Sequence, residues 1–99
     1  MELARVSGTV VATQKNEGLA GHKLLVVDLL KVGGESTGTN LVALDTVGAG
    51  FGETVIVVRG SSARQAEGMT TVPVDASIVG IVDSIEVGGE IKYNKSEDE

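Results

Sequence analysis

Cysteine is absent from this 99-residue chain, and aromatic side chains are scarce, with one Phe, one Tyr and no Trp. The lack of cysteine excludes disulfide bonds and thiolate metal sites. Hydrophobic residues still make up 41% of the sequence, although only 2% is aromatic. A core must therefore be built from aliphatic side chains, mainly Val, Leu and Ile.

Long apolar runs are also missing. No run approaches the roughly 20 apolar residues that a membrane-spanning helix needs. The N-terminal segment, residues 1–5, lacks the basic stretch followed by an apolar stretch that marks a signal peptide. Together with the absence of cysteine, this pattern predicts a soluble cytoplasmic protein with no membrane partner.

Positive charge is in short supply. The sequence has 8 Lys and Arg against 14 Asp and Glu, which gives a formal net charge of −6. Proteins that bind nucleic acids rely on basic grooves, and those that bind single strands add stacking aromatics. Because this chain lacks both features, we expect no nucleic-acid partner.

Five segments predict β-strands: residues 3–15, 23–32, 41–44, 54–58 and 78–87. The first alternates apolar and polar residues with a period of two, which is typical of a half-buried strand. Glycine-rich turns separate the first four segments. Because these connections are too short for a crossover helix, we expect antiparallel neighbours.

Closure of these strands into a barrel would remove exposed edges, which otherwise invite aggregation. The predicted fold is all-β: a small five-stranded closed barrel, similar to the oligonucleotide/oligosaccharide-binding (OB) fold. Pro73 suits the start of one short helical turn, around residues 74–77, before the last strand. The barrel domain is predicted over residues 1–88, followed by a polar, acidic C-terminal tail over residues 89–99.

The second and fourth predicted strands are apolar on both faces. A single barrel hides only its inner face, so something must cover the outer one. A second copy of the chain is the simplest cover, because most soluble oligomers are symmetric homo-oligomers. The pattern therefore indicates self-association.

A glycine-rich segment, Gly48-Ala49-Gly50-Phe51-Gly52, raises the question of nucleotide binding. A phosphate-binding loop leads from a strand into a helix, whose N-terminal amides meet the phosphate. This segment leads instead into a predicted strand and lacks the Gly-Lys-Ser/Thr ending. We therefore interpret it as a hairpin turn, in which glycine permits positive φ or a close backbone approach.

Candidate polar sites are few. Arg59 and Arg64, with the hydroxyls between them, form an alternative candidate: a small-ligand or anion-binding site. His22 is the only histidine, and a lone histidine without cysteine makes a metal site unexpected. An enzyme built on His22 and one of the strand aspartates (Asp28, Asp45, Asp83) is a further hypothesis, but no spacing selects a pair. No catalytic, cofactor-binding or metal-ligating residue is predicted.

Four stretches, in order along the chain, resemble the EutN/CcmL family of bacterial microcompartment vertex proteins. They are residues 5–15 (Arg-Val-Ser-Gly-Thr-Val-Val-Ala-Thr-Gln-Lys), residues 41–53 with the Gly-Ala-Gly-Phe-Gly-Glu turn, residues 59–64, and residues 73–83 with Pro-Val-Asp-Ala-Ser-Ile-Val-Gly-Ile-Val-Asp. The resemblance covers residues 1–87.

The resemblance implies a structural protein and not an enzyme. It implies a homopentamer at the vertices of a polyhedral shell, where pentagons supply the curvature that flat hexameric shell proteins lack. It also implies a location within a microcompartment shell in the cytoplasm, and no cofactor. The candidate residues for contacts between subunits or with the shell are Gly48, Ala49, Gly50, Gly52, Glu53, Arg59, Ser61, Ser62 and Arg64.

Overall fold

The structure is a computed structural model that describes residues 1–12, 21–60 and 75–98, with side chains described up to residue 96. The described part of the chain contains seven strands and one helical turn. In order these are β1 (Glu2–Val10), β2 (Leu24–Leu30), β3 (Ser36–Asp45), β4 (Thr54–Arg59), β5 (Ala76–Ile81), β6 (Ser84–Val87), β7 (Glu90–Asn94) and α1 (Lys95–Asp98).

Five of these strands close into a barrel with the order β1-β2-β3-β5-β4, and β4 returns to pair with β1. Every neighbouring pair is antiparallel except β3 and β5, which run parallel. The prediction of an all-β fold built on a closed five-stranded barrel is therefore confirmed.

The segment between β3 and β4 is not a hairpin turn, so this part of the prediction was wrong. β5 lies between these two strands in the sheet. The connecting segment instead pairs its backbone with β1: the Gly52 amide donates to the Val6 carbonyl at 2.9 Å, and the Val6 amide donates to the Glu53 carbonyl at 2.9 Å. These bonds satisfy backbone groups that a loop against the barrel could not leave unpaired.

The helical turn predicted around residues 74–77 is not helical where the structure describes it. Asp75 lies in a bend, while Ala76 and Ser77 already belong to β5. These two residues pair with Arg59 and Val58 of β4, so the barrel ladder takes their backbone groups. Residue 74 lies outside the described residues, as do residues 13–15 of the first predicted strand.

The core follows from the period-two pattern of the barrel strands. Inward-facing aliphatic side chains from all five strands form one buried cluster without a described aromatic residue. Its members are Ala4, Val6, Leu25, Val27, Leu29, Ala43, Ala49, Val55, Val57, Ala76 and Ile78. The prediction of an aliphatic core is confirmed for the described residues.

The outer face of the barrel carries a second apolar row. Leu3 on β1 lies opposite Leu30 of β2 on one side and Ile56 of β4 on the other. Residues that lie opposite one another in neighbouring strands share a face of the sheet, and the inner face here belongs to Ala4 and its partners. The two-sided apolar character expected for β2 and β4 is thus present, with Leu3 joining the two.

The last predicted strand, residues 78–87, is in fact two strands. β5 ends at Ile81, and β6 pairs with β7 in a separate two-stranded antiparallel sheet. Gly88 and Gly89 connect them with φ of 59° and 82°, as a two-residue turn of type I′ requires. The boundary predicted after residue 88 falls within this turn, and part of the predicted tail forms β7 and α1.

Candidate functional site

The glycine loop, defined here as residues 48–53, covers one end of the barrel between β3 and β4. Gly48 and Gly52 have φ of 76° and 84°, in the left-handed region that side chains with a Cβ adopt only with strain. Gly50 does not share this conformation. The backbone conformation therefore favours glycine at positions 48 and 52 but not at position 50.

Asp45, at the end of β3, fixes the start of the loop. Its Oδ1 accepts a hydrogen bond from the Val47 amide at 3.1 Å, and its Oδ2 accepts one from the Ala49 amide at 3.0 Å. The Lys23 Nζ lies 3.8 Å from Asp45 Oδ2 and donates to the Ala49 carbonyl at 3.1 Å. The Asp45 side chain is buried, so these amide bonds compensate for its lost hydration. This carboxylate is a structural anchor for the turn.

Glu53 fixes the end of the loop. Its Oε1 accepts the Gly50 amide at 2.6 Å, and its Oε2 accepts the Lys95 Nζ at 2.7 Å. The hydrogen bond from Lys95, followed by the one from the Gly50 amide, lowers the pKa of Glu53 below its ordinary value, because both bonds favour the charged carboxylate. The charged group thus ties the loop to the segment that follows β7.

Only some of the loop residues that the sequence predicts to contact other subunits or the shell are exposed. Gly48 and Gly52 are exposed, and Gly50 and Glu53 are half-buried. Ala49 is fully buried in the core of its own barrel, so it anchors the loop and has no surface to offer a partner. Phe51 is 82% exposed and was not among the predicted residues, although a lone phenylalanine among turn glycines is a readable signal for a contact surface.

Arg59, at the end of β4, is engaged within its own chain. Its Nε donates to Glu2 Oε2 at 2.8 Å and its Nη2 donates to Glu2 Oε1 at 2.7 Å, a bidentate pair. These hydrogen bonds lower the pKa of Glu2. Arg59 thus already pairs with a carboxylate of its own chain, which does not favour the anion-binding hypothesis. The other residues of that hypothesis, Ser61, Ser62 and Arg64, lie outside the described residues.

The described residues show no constellation for metal chemistry. Among them, no group of three or more His, Asp or Glu side chains could hold a metal ion. Asp28 accepts a hydrogen bond from the Ser36 hydroxyl at 2.8 Å, so it too has a local structural partner.

None of the helices in the described part of the chain is long and apolar enough to cross a membrane.

A second exposed feature lies on the barrel wall. The outer groove, defined here by its apolar lining residues Met1, Leu3, Leu30, Val32 and Ile56 and its charged lining residues Glu2 and Lys31, has a volume of about 470 Å³ and is open to solvent. It contains the apolar row of β2, β1 and β4. An open apolar concavity of this kind typically marks a contact site.

Comparison with known proteins identifies the family to which the chain belongs. The model of the family described as "Ethanolamine utilisation protein EutN/carboxysome" matches residues 1–83. The chain belongs to this EutN/CcmL family. The shell vertex protein EutN of Salmonella typhimurium is 45% identical over 95 residues, which is 96% of each chain. The carboxysome shell vertex protein CcmL of Synechocystis is 47% identical over 98 residues, covering 99% of this chain and 98% of the relative.

Solved structures agree with this assignment. A structure of the ethanolamine utilization protein EutN superimposes with a TM-score of 0.91 at 46% identity, covering 96% of this chain and 99% of that one. GrpN of Rhodospirillum rubrum, described as a pentameric microcompartment shell protein, superimposes with a TM-score of 0.81 at 53% identity, covering 88% and 99%.

Family membership confirms the resemblance seen in the sequence. The relatives are shell vertex proteins by name, and the family is one of structural shell proteins and not of enzymes. The hypothesis of an enzyme built on His22 is therefore set aside, and the expected non-enzymatic class is confirmed by these relatives.

Proposed function

We propose that five copies of this chain form a ring that occupies a vertex of a bacterial microcompartment shell in the cytoplasm. The observation that carries the proposal is the match over nearly the whole chain to vertex proteins, one of which is described as pentameric. The metabolic pathway enclosed by the shell is a property of its cargo enzymes and not of the vertex.

The apolar exterior of the barrel supports self-association. A ring with five-fold symmetry joins subunits head to tail, so each copy needs two unlike surfaces that fit one another. The outer groove offers one recessed apolar surface. Burial of such a surface favours association, since each square ångström of apolar area removed from water contributes about 25 cal/mol.

The glycine loop supports a role in contacts around the vertex. Asp45 and Glu53 hold its backbone at both ends, so its tip is presented in one conformation. Phe51 stands exposed at that tip. We assign the exposed part of the loop, with Arg59 to Arg64, to the contacts that set the angle between the ring and its neighbours in the shell, which we propose to be hexameric shell proteins.

Shell assembly with and without this chain tests the proposal. Co-expression of the hexameric shell proteins with the chain should give closed polyhedra in electron micrographs. The same proteins without it should give open sheets or elongated tubes, because flat hexagons alone do not close a surface. Equal numbers of closed polyhedra in both preparations would contradict a vertex role.

A matched pair of variants sharpens this test. Phe51→Asp places a charge at the exposed loop tip and should reduce incorporation into shells while the ring persists. Gly50→Ala is the control, because a Cβ at Gly50 would make only an ordinary contact, 3.5 Å from Glu53 Oε1. If Phe51→Asp closes shells as well as the control does, the loop tip is not the shell contact.

A further inference from the structure

The β6–β7 hairpin stands apart from the barrel. It forms its own two-stranded sheet, and an isolated two-stranded hairpin is only marginally stable in water. Among the residues that the structure describes, no further strand pairs with either edge of this sheet, and soluble proteins commonly cover such edges. Open edges of this kind favour contact with a neighbouring chain.

The base of the hairpin is fixed to its own barrel. The Val82 amide donates to the Thr54 carbonyl at 2.8 Å just before β6, and the Lys95 amide donates to the Asp83 carbonyl at 2.9 Å just after β7. Lys95 also donates to Glu53 at 2.7 Å. Both ends are thus held by hydrogen bonds, and the two-residue Gly88-Gly89 turn joins the strands at the tip.

One face of the hairpin combines an apolar and an acidic side chain. Glu86 lies directly opposite Ile91, so the two side chains share a face. Ile91 is 62% exposed. Ile85 and Tyr93 form the neighbouring pair, beyond a register shift between Ile85 and Glu86. Both are half-buried, so the Glu86–Ile91 pair is the more exposed of the two.

The outer groove has the complementary chemistry. Its lining is mostly apolar and includes Lys31. The other charged lining residue, Glu2, is neutralised by the bidentate pair with Arg59. On the hairpin, Glu90 pairs with Lys92 at 3.1 Å, which leaves Glu86 as the acid not offset within the hairpin. One lysine therefore faces one glutamate across otherwise apolar surfaces.

A chain does not fill its own groove with this face. Among the described residues, those that line the groove come from the start of β1, from the end of β2 with the two residues that follow it, and from the middle of β4. None of them comes from β6 or β7. Because the hairpin base is held near Thr54 and Glu53, the protruding and the recessed surface remain separate in one chain. Two separate, complementary surfaces are what a head-to-tail ring requires.

We propose that the Glu86–Ile91 face of the hairpin docks in the outer groove of the adjacent copy, with Ile91 against Leu3, Leu30 and Ile56 and with Glu86 beside Lys31. The inference rests on the proposed function, since it assumes the ring. It assigns the partner of the C-terminal hairpin and the two halves of the subunit interface.

Crosslinking tests the contact directly, because the natural chain has no cysteine and every thiol is an introduced one. The test variant carries Val32→Cys in the groove and Ile91→Cys on the hairpin, and it is treated with a short thiol-to-thiol crosslinker. The control carries Val42→Cys with Ile91→Cys. Val32 and Val42 are exposed to similar extents, 55% and 52%, but Val42 lies outside the groove.

The expected result is a ladder of covalently linked chains, ending at five, for the test variant, and mostly single chains for the control. Native mass spectrometry of the same samples separates the possible failures. Rings without a ladder, or an equal ladder in the control, would overturn the docking and leave the vertex role standing. Single chains in native spectra of the uncrosslinked, unsubstituted protein would overturn both.

A charge exchange gives an independent readout that does not depend on the crosslinker. Lys31→Glu and Glu86→Lys should each weaken the association by about 1.5- to 5-fold per interface, as expected for one exposed ion pair. The double variant should restore it. Two single variants with no effect, or a double variant no better than either, would contradict the pairing.

Discussion

The barrel and the β6–β7 hairpin differ in how their strand edges and apolar side chains are covered. In the barrel, closure pairs the strands all round and the inner aliphatic face is buried by its own chain. In the hairpin, the two strands pair only with each other as far as the described residues go, and Val87 and Ile91 remain exposed. The barrel is explained by packing within the chain, whereas the hairpin is explained by the proposed contact with a neighbouring copy.

The glycine loop belongs with the barrel in this comparison. It has no regular secondary structure, yet the Ala49 and Gly50 amides donate to side chains of the same chain and Ala49 lies in the core. The Gly52 and Glu53 amides donate to backbone carbonyls. Exposure alone therefore does not distinguish an assembly surface from a self-sufficient one. The difference lies in whether the backbone and apolar side chains already have partners within the chain.

The largest expected effect comes from the same substitution made in the two regions. Ile78→Ala removes a fully buried side chain and should lower the free energy of unfolding by about 2–5 kcal/mol. Ile91→Ala should leave the barrel intact and act on assembly. Thermal unfolding at several protein concentrations distinguishes them. Ile78→Ala should lower the Tm at every concentration, while Ile91→Ala should lower it most at low concentration.

An equal, concentration-independent loss in both variants would contradict this contrast, because it would mean that Ile91 stabilises the isolated chain as a core residue does.

The second prediction concerns the anchor of the glycine loop. Asp45→Ala removes the acceptor of the Val47 and Ala49 amides. It should cost about 1–3 kcal/mol, since the buried Ala49 amide left without a partner keeps its desolvation penalty. Asp45→Asn is the control, because its single carbonyl oxygen can still accept one amide. Chemical denaturation should place the control between the wild type and the alanine variant. A neutral Asp45→Ala would show that the loop is not held by this carboxylate.

The third prediction separates the glycines of the loop. Gly52→Ala forces a Cβ into the left-handed region, where nothing within 4 Å would obstruct it, so the cost of about 1–2 kcal/mol is backbone strain alone. Gly50→Ala, at ordinary φ, should change the free energy of unfolding by less than about 0.5 kcal/mol. Equal costs for both variants in urea unfolding would refute the role assigned to positive φ.

The smallest effect concerns the link between loop and hairpin base. Because Lys95 and the Gly50 amide lower the pKa of Glu53 below 4.5, its stabilising contribution is fully present above that pH and is lost as the pH falls through the folded-state pKa. Glu53→Gln should therefore flatten part of the decline in Tm on acidification. Lys95→Met should flatten the same part, and the double variant should add little. Additive effects would show that the two groups act separately.

Much of the barrel could be predicted from sequence, because inward and outward residues alternate with a period of two. The start of β3 could not, since Ser36 to Asn40 is polar and exposed on both faces and carries no apolar signal. The place of β4 in the strand order of the barrel, next to β1 and β5 and not next to β3, could not be predicted either. A short glycine-rich loop is compatible with a hairpin or with a path across the barrel end, and only the tertiary bonds to Val6 decide between them.

The sequence says less about which residues are exposed than about the fold. Ala49 was included because it lies in the glycine motif, but burial is a tertiary property that the motif does not reveal. The hairpin was missed although its signal is present: two glycines followed by Glu-Ile-Lys-Tyr-Asn, a pattern typical of a two-residue hairpin turn. Its polar composition led to its interpretation as a tail.

Native mass spectrometry of the purified chain at micromolar concentration tests the central claim most directly. The account predicts a dominant species of five times the 10.1 kDa chain mass, which dissociates into single chains on dilution or unfolding. A dominant single-chain species at that concentration would contradict the five-membered ring, and with it the docking of the hairpin on a neighbour.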